Sequence, residues 1–381
     1  MIGVEKLLQK NNIVLGKKAR KLILQNNIVT INIGEKGFGG SQVKNLLGQI
    51  NYVLKRYGNA CKIIELRVKE FYPNDKLSYI ILETVIYMLI KRYNKKVYFF
   101  ADEVKRNINT CGLKDSLLYD MLIGKINFEN YIENFENVNR VRSSSFRRII
   151  KPDDKMAVCD LMRDIKSFLK VWEINKDDCR RISKIVSELA DNACEHAQSE
   201  CIVDVDVSDI YQKEGSEDEY YSVNICVLNF SDILLGEQVR KKIMSNQVKA
   251  SARYEGISRA YDSHKSFFDN RYTEEHFFIL ASFQDEISGR CKESNTGGRG
   301  LAELVREIEK CVDEYECYVL TGNNIIFFYP DSLEVDQDGW ISFNIEKNFT
   351  NHQPDSRIVS YSDTDLNGTG YNLSLIYKRS L

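Results

Sequence analysis

The chain of 381 residues lacks several features that would place a protein quickly. It has no run of about 18 consecutive apolar residues, the length a membrane-crossing helix needs. The nearest stretch, YIILETVIYMLI (79–90), is short and is interrupted by Glu83 and Thr84. The opening MIGVEKLLQKNN has no apolar core of the kind a secretory signal carries. Charge of neither sign dominates: the net charge is -2 and the pI about 6.2, so nucleic acid is not indicated as a partner and no membrane surface is called for. No C-x-x-C pair occurs; ten cysteines stand singly, at 61, 111, 159, 179, 194, 201, 226, 291, 311 and 317. That pattern excludes a disulfide scaffold or a paired-cysteine zinc site and fits reduced, buried thiols in a cytoplasmic protein. Prolines number only four, as expected of a chain built from long regular elements. Histidine occurs four times, never before position 196.

What is present is an ordinary globular balance, 43% hydrophobic and 28% charged, over a length that suggests two domains. The first 136 residues alternate in period. NIVTINI (27–33), KIIELRV (62–68) and KVYFF (96–100) read as strands, while 41–58 and 76–94 have helical spacing. This βαβαβ order predicts a small α/β domain over 1–136. GEKGFGGS (34–41) follows a strand and precedes a helix, but it lacks the spacing of a phosphate loop and is better read as a βα connection. The polar, arginine-rich NVNRVRSSSFRRIIKPD leads to a basic linker over 137–153, solvated by default although its cations are of a type that contacts phosphates.

The remainder, 154–381, runs as helices, strands, helices, strands, which predicts an α+β sandwich with a mixed, mostly antiparallel sheet and helices on one face. Its second helix follows a capping Asn175 and ends in SELADNACEHA (187–197). Glu188 and Asn192, four apart, share a helix face beside the core stripe of Ile182, Ile185, Val186, Leu189 and Ala193. A carboxylate there can orient or deprotonate water, and an amide oxygen is a hard donor suited to Mg²⁺. An exposed helix face with no chemistry is the competing reading. Further on, TGGRGLAEL (296–304) brings glycines to a helix start, where unpaired N–H groups and the positive dipole end favour phosphate. A plain tight loop is the alternative.

The order of a Glu-x-x-x-Asn helix, a strand pair, a long charged segment and a glycine-rich loop entering a helix resembles the GHKL superfamily of Bergerat-fold ATPases. Histidine kinases, heat-shock chaperones, type II topoisomerases and bacterial anti-sigma-factor kinases belong to it. The resemblance covers about 154–330 and implies that Glu188 is the general base and Asn192 the Mg²⁺ ligand. It also implies a triphosphate at Thr296, Gly297, Gly298, Arg299, Gly300 and Leu301, with ATP and Mg²⁺ as cofactors. The adenine-reading box departs from the family: in NICVLNFSDILLG, Asn229 stands where the family has aspartate, with Asp232 a second candidate acceptor and Gly236 a later glycine. Residues 237–295 take the place of a long lid over the nucleotide, and the final residues that of a strand extension. With no histidine upstream of Glu188, the phospho-accepting arrangement of a histidine autokinase is excluded in cis. The strand–helix alternation of 1–136 loosely resembles STAS-type domains. The resemblance thus implies a regulatory ATPase or Ser/Thr protein kinase with a protein partner, in a bacterial signalling or defence switch. The alternative is an ATP-gated, dimerising clamp.

Overall fold

The computed structural model describes residues 4–11, 22–105, 108–137, 139–152, 154, 156–172, 174–245, 252–285, 287, 302, 304–305 and 314–379. The chain is α+β, with a small parallel sheet and a large antiparallel one. After α1 (Val4–Lys10), the N-terminal unit runs β1 (Ile28–Phe38), α2 (Gly40–Tyr57), β2 (Ile63–Pro73), α3 (Lys76–Lys91) and β3 (Lys96–Val104). The strands pair in parallel in the order β1-β2-β3. Alternation drives β1: Val29, Ile31 and Ile33 are buried while Thr30 and Asn32 between them are exposed. Gly34 to Phe38 continue that strand with register shifts, so most of the glycine-rich stretch 34–41 is strand rather than connection. Two short helices, α4 (Leu117–Leu122) and α5 (Phe128–Glu136), follow.

The second unit contains β4 (Asn139–Val141), β5 (Ser145–Ile150), α6 (Ala157–Val171), α7 (Lys176–Ala197), β6 (Cys201–Val207), β7 (Tyr211–Gln212) and β8 (Glu219–Phe230). It continues with α8 (Glu237–Met244), α9 (Ala252–His264), α10 (Glu274–Ser282), β9 (Glu314–Thr321), β10 (Asn324–Phe328), β11 (Val359–Tyr361) and β12 (Gly368–Lys378). The sheet order is β11-β10-β9-β12-β8-β6-β5-β4, with β7 on β8. The expected C-terminal strand extension lies inside the sheet: β12 is inserted between β8 and β9, antiparallel to both. Along β8, Tyr221, Val223, Ile225 and Val227 face the core under α6 and α7. Cys226, Leu228 and Phe230 face the core shared with the N-terminal unit. Both faces of this sheet are thus covered, the second by α3, whose residues from Lys76 to Ile86 are all buried.

The expected basic linker is instead two strands. Residues 139–141 and 145–150 form β4 and β5, and three cations of this stretch have acidic partners distant in sequence. Arg142 pairs with Asp120, Arg148 with Asp164 on α6, and Arg147, 1% exposed, with Glu83 on α3 and Asp204 on β6. Lys76, at the start of α3, reaches across to both Asp204, at 2.7 Å, and Asp206. Burial alone would lower the Lys76 pKa, but the two carboxylates raise it well above the ordinary lysine value. Leu77 N–H donates to Asn372 on β12 at 3.1 Å, and Asn224 donates to Asp206 at 2.9 Å. The N-terminal unit is therefore held on the sheet by a buried polar network as well as by apolar contact.

The segment expected as a lid is also different where it is described. In α8 to α10, Val239, Ile257, Phe277 and Leu280 are buried in the core on the α7 side of the sheet, and His264 is buried as well. Gly236, at the start of α8, approaches α10 so closely that a Cβ would lie 2.6 Å from the Phe278 backbone. Its role here is close packing between helices.

Candidate functional site

The site is built on α7. The side chain of Asn175 caps the helix, accepting from Asp178 N–H at 2.9 Å, and Asp177 and Asp178 sit in its first turn, where the dipole favours them. The Asp178 carboxylate also accepts from Tyr221 OH at 3.3 Å, which ties the N-terminal end of α7 to β8. Ile182, Val186, Leu189 and Ala190 are fully buried against the sheet. Ser183 and Ser187 turn inward by returning their hydroxyls to the helix: Ser187 Oγ donates to Ser183 O at 2.7 Å. Glu188 and Asn192 are half-buried one turn apart, at the border of the packed face. This is the placement their spacing implied.

The helix ends at Ala197, and Gln198 reverses the chain with a left-handed φ of 48°. The sheet below its C-terminal half presents a polar row. Cys201 on β6 lies opposite Asn229 on β8, Asn229 opposite Thr369 on β12, and Thr369 opposite Thr321 on β9. All four side chains point to the α7 side, by alternation from the core residues of the same strands. Asn229 is 2% exposed. Its Nδ2 donates to Ser199 Oγ at 3.1 Å, and its Oδ1 accepts from Thr369 N–H at 3.0 Å. Thr369 and Thr321 hydroxyls lie 3.0 Å apart, and Thr321 Oγ1 also accepts from Leu235 N–H at 3.1 Å. Gly368 passes beside Asn229 so tightly that a Cβ there would be 2.1 Å from the Asn229 carbonyl oxygen.

Two of the expected acceptors are therefore used otherwise. The amide oxygen of Asn229 braces β12, which leaves one of its two lone pairs for any further donor. Asp232 is 65% exposed and pairs with Lys6 on α1, and that lysine's hydrogen bond, more than anything else, lowers its pKa. The expected triphosphate residues Thr296, Gly297, Gly298, Arg299, Gly300 and Leu301 lie outside the described residues. Thr321, Thr369 and Ser199 were missed from sequence. For Thr321 and Thr369 the only signal was a threonine at the inward phase of an alternating strand, which becomes informative once the register is known; Ser199, in the turn after α7, carried none.

No three His, Cys, Asp or Glu side chains among the described residues converge as a cation cage. A divalent ion beside Asn192 would accordingly lean on a ligand's own oxygens and on water, as Mg²⁺ commonly does. A separate cavity of about 270 Å³, lined by Trp172, Val207, Ile210, Tyr221 and Arg379, lies toward the opposite end of α7 from Asn192. In comparisons with protein-family models, curated proteins and solved structures, nothing matched this chain.

Proposed function

We propose that this chain is a Mg-ATP-binding regulatory ATPase of the GHKL type, which hydrolyses ATP or passes its γ-phosphoryl group to a Ser or Thr hydroxyl of a protein partner. The observation that carries the reading is the half-buried pair Glu188 and Asn192 on the border of α7, the helix packed on β6 and on β8, the strand that carries Asn229. Glu188 orients or deprotonates the attacking water, and Asn192 supplies one amide oxygen to Mg²⁺. The polar row offers hydroxyls and an amide at the end of the sheet where a base would rest. Asn229 keeps an acceptor lone pair for an exocyclic amine, and Asp232, exposed and paired with Lys6, is the alternative acceptor.

Calorimetry with ATP and Mg²⁺, together with phosphate release, tests the proposal. Glu188→Ala should bind nucleotide and fail to turn it over. Asn192→Ala should lose the Mg²⁺-dependent part of the affinity. Normal hydrolysis by the first variant, or unchanged Mg²⁺ dependence in the second, removes the corresponding role. With γ-labelled ATP, label retained on protein supports phosphoryl transfer, and free phosphate alone supports an ATPase that works as a clamp.

A further inference from the structure

The turn that closes α7 onto β6 holds a second chemistry. Cys194, near the end of α7, and Cys201, the first residue of β6, bring their sulfurs to 3.9 Å across that turn. Both are reduced, with Cys194 8% exposed and Cys201 fully buried. Cys201 Sγ also lies 4.0 Å from the Ala190 carbonyl oxygen one helix turn back, so the pair sits in the packed angle between helix and strand. A disulfide needs an S–S distance of about 2.05 Å, hence a closure of roughly 1.9 Å. A side-chain torsion and a small shift of the last helical turn supply such a movement, and Gln198, Ser199 and Glu200 give the turn its slack.

We propose that Cys194 and Cys201 are an oxidisable dithiol that a peroxide converts to a disulfide, fastening the end of α7 to β6. Cys194, the more accessible of the two, attacks as its thiolate. Its sulfur bonds to one peroxide oxygen, the O–O bond breaks, and the departing hydroxide leaves as water with the thiol proton. The Cys201 sulfur then displaces the hydroxyl of the resulting sulfenic acid. The S–S bond forms, the S–O bond breaks, and a second water carries off the Cys201 proton. Two thiols lose two electrons in all, and the peroxide gains them. The contact with Cys194, together with burial, raises the Cys201 thiol well above its ordinary pKa. The second step, which uses the Cys201 sulfur as nucleophile, is slowed accordingly. The fastened turn begins two residues after Asn192 and faces Asn229 across the β6–β8 register, so an effect on nucleotide would rest on the proposed function; the disulfide itself does not.

The full chain is exposed to hydrogen peroxide, denatured, capped with N-ethylmaleimide and digested with trypsin without reductant. The peptide Ile185–Lys213 contains Cys194 and Cys201 and no other cysteine. It should appear two hydrogens lighter and uncapped, and should take two maleimides if reduced before capping. Cys194→Ser and Cys201→Ser should each abolish the lighter species. Capping of both thiols in this peptide after peroxide treatment continued well beyond full oxidation of the exposed Cys159 overturns the proposal, as does separate over-oxidation of the two sulfurs without a crosslink. No nucleotide enters the measurement, so a failure to bind ATP would leave this result standing.

Discussion

Replacing Lys76 with methionine should show how firmly the N-terminal unit is built into the sheet. The ammonium is 1% exposed and lies between Asp204 and Asp206, which are themselves 2% and 0% exposed at their side chains. Methionine keeps most of the stem and deletes the charge. Asp204 retains Arg147, and Asp206 retains the neutral donors Asn224 Nδ2 at 2.9 Å and Tyr79 OH at 3.5 Å but loses the Lys76 ammonium. Breaking a buried pair by removing one partner costs about 3–5 kcal/mol, because the surviving charge stays desolvated. With a urea m-value of about 3 kcal/mol/M, the unfolding midpoint should fall by roughly 1–1.7 M. Both tryptophans, Trp172 and Trp340, lie in the second unit, so their fluorescence reports loss of the large sheet rather than of the N-terminal unit. A midpoint shift by that probe means the two units unfold together. Adding Asp206→Asn to Lys76→Met should restore much of the loss, since an amide is far less costly to bury uncharged. A shift below about 0.3 M in the single variant, or no rescue in the double, would refute the reasoning.

His264 should make the fold sensitive to mild acid. Its Nδ1 and Nε2 are matched by Tyr272 OH at 2.6 Å and Phe349 O at 2.7 Å, and burial lowers its pKa to about 4. The folded state therefore keeps it neutral while the unfolded chain protonates below about 6.5, so stability present above that pH is lost as pH falls toward 4, by up to about 3 kcal/mol. Thermal melts from pH 7.5 to 4.5 should show that loss, and it should be smaller in His264→Gln. Gly368→Ala should destabilise by several kcal/mol, since its Cβ would meet the Asn229 carbonyl at 2.1 Å; a melting temperature unchanged by the substitution would contradict the close approach. Asn229→Leu should cost about 1–3 kcal/mol by leaving Thr369 N–H without its acceptor, and slowed amide exchange at Thr369 in this variant would count against it.

Local signals carried much of the architecture. The alternation of 27–33, 62–68 and 96–100 and the helical spacing between them foretold a small α/β unit, because a β-branched period of two and an amphipathic period near 3.6 act within a few residues. The same holds for α7: Asn175 as a cap, a core stripe, and Glu188 and Asn192 together on its border all follow from helix geometry. What the sequence could not carry was which distant partners each segment would find. Arg142, Arg147 and Arg148 read as part of a solvated basic run, whereas in the fold they pair with Asp120, with Asp204 and Glu83, and with Asp164. Asp232 looked like an acceptor beside Asn229 until α1 brought Lys6 to it. The last strand gave no hint that it would enter the middle of the sheet, matching Thr369 to Asn229 across 140 residues of chain. Propensity and periodicity are short-ranged and act before the chain closes on itself. Register, charge neutralisation and close backbone approach exist only after it does, and those are the interactions that assemble the row beneath α7.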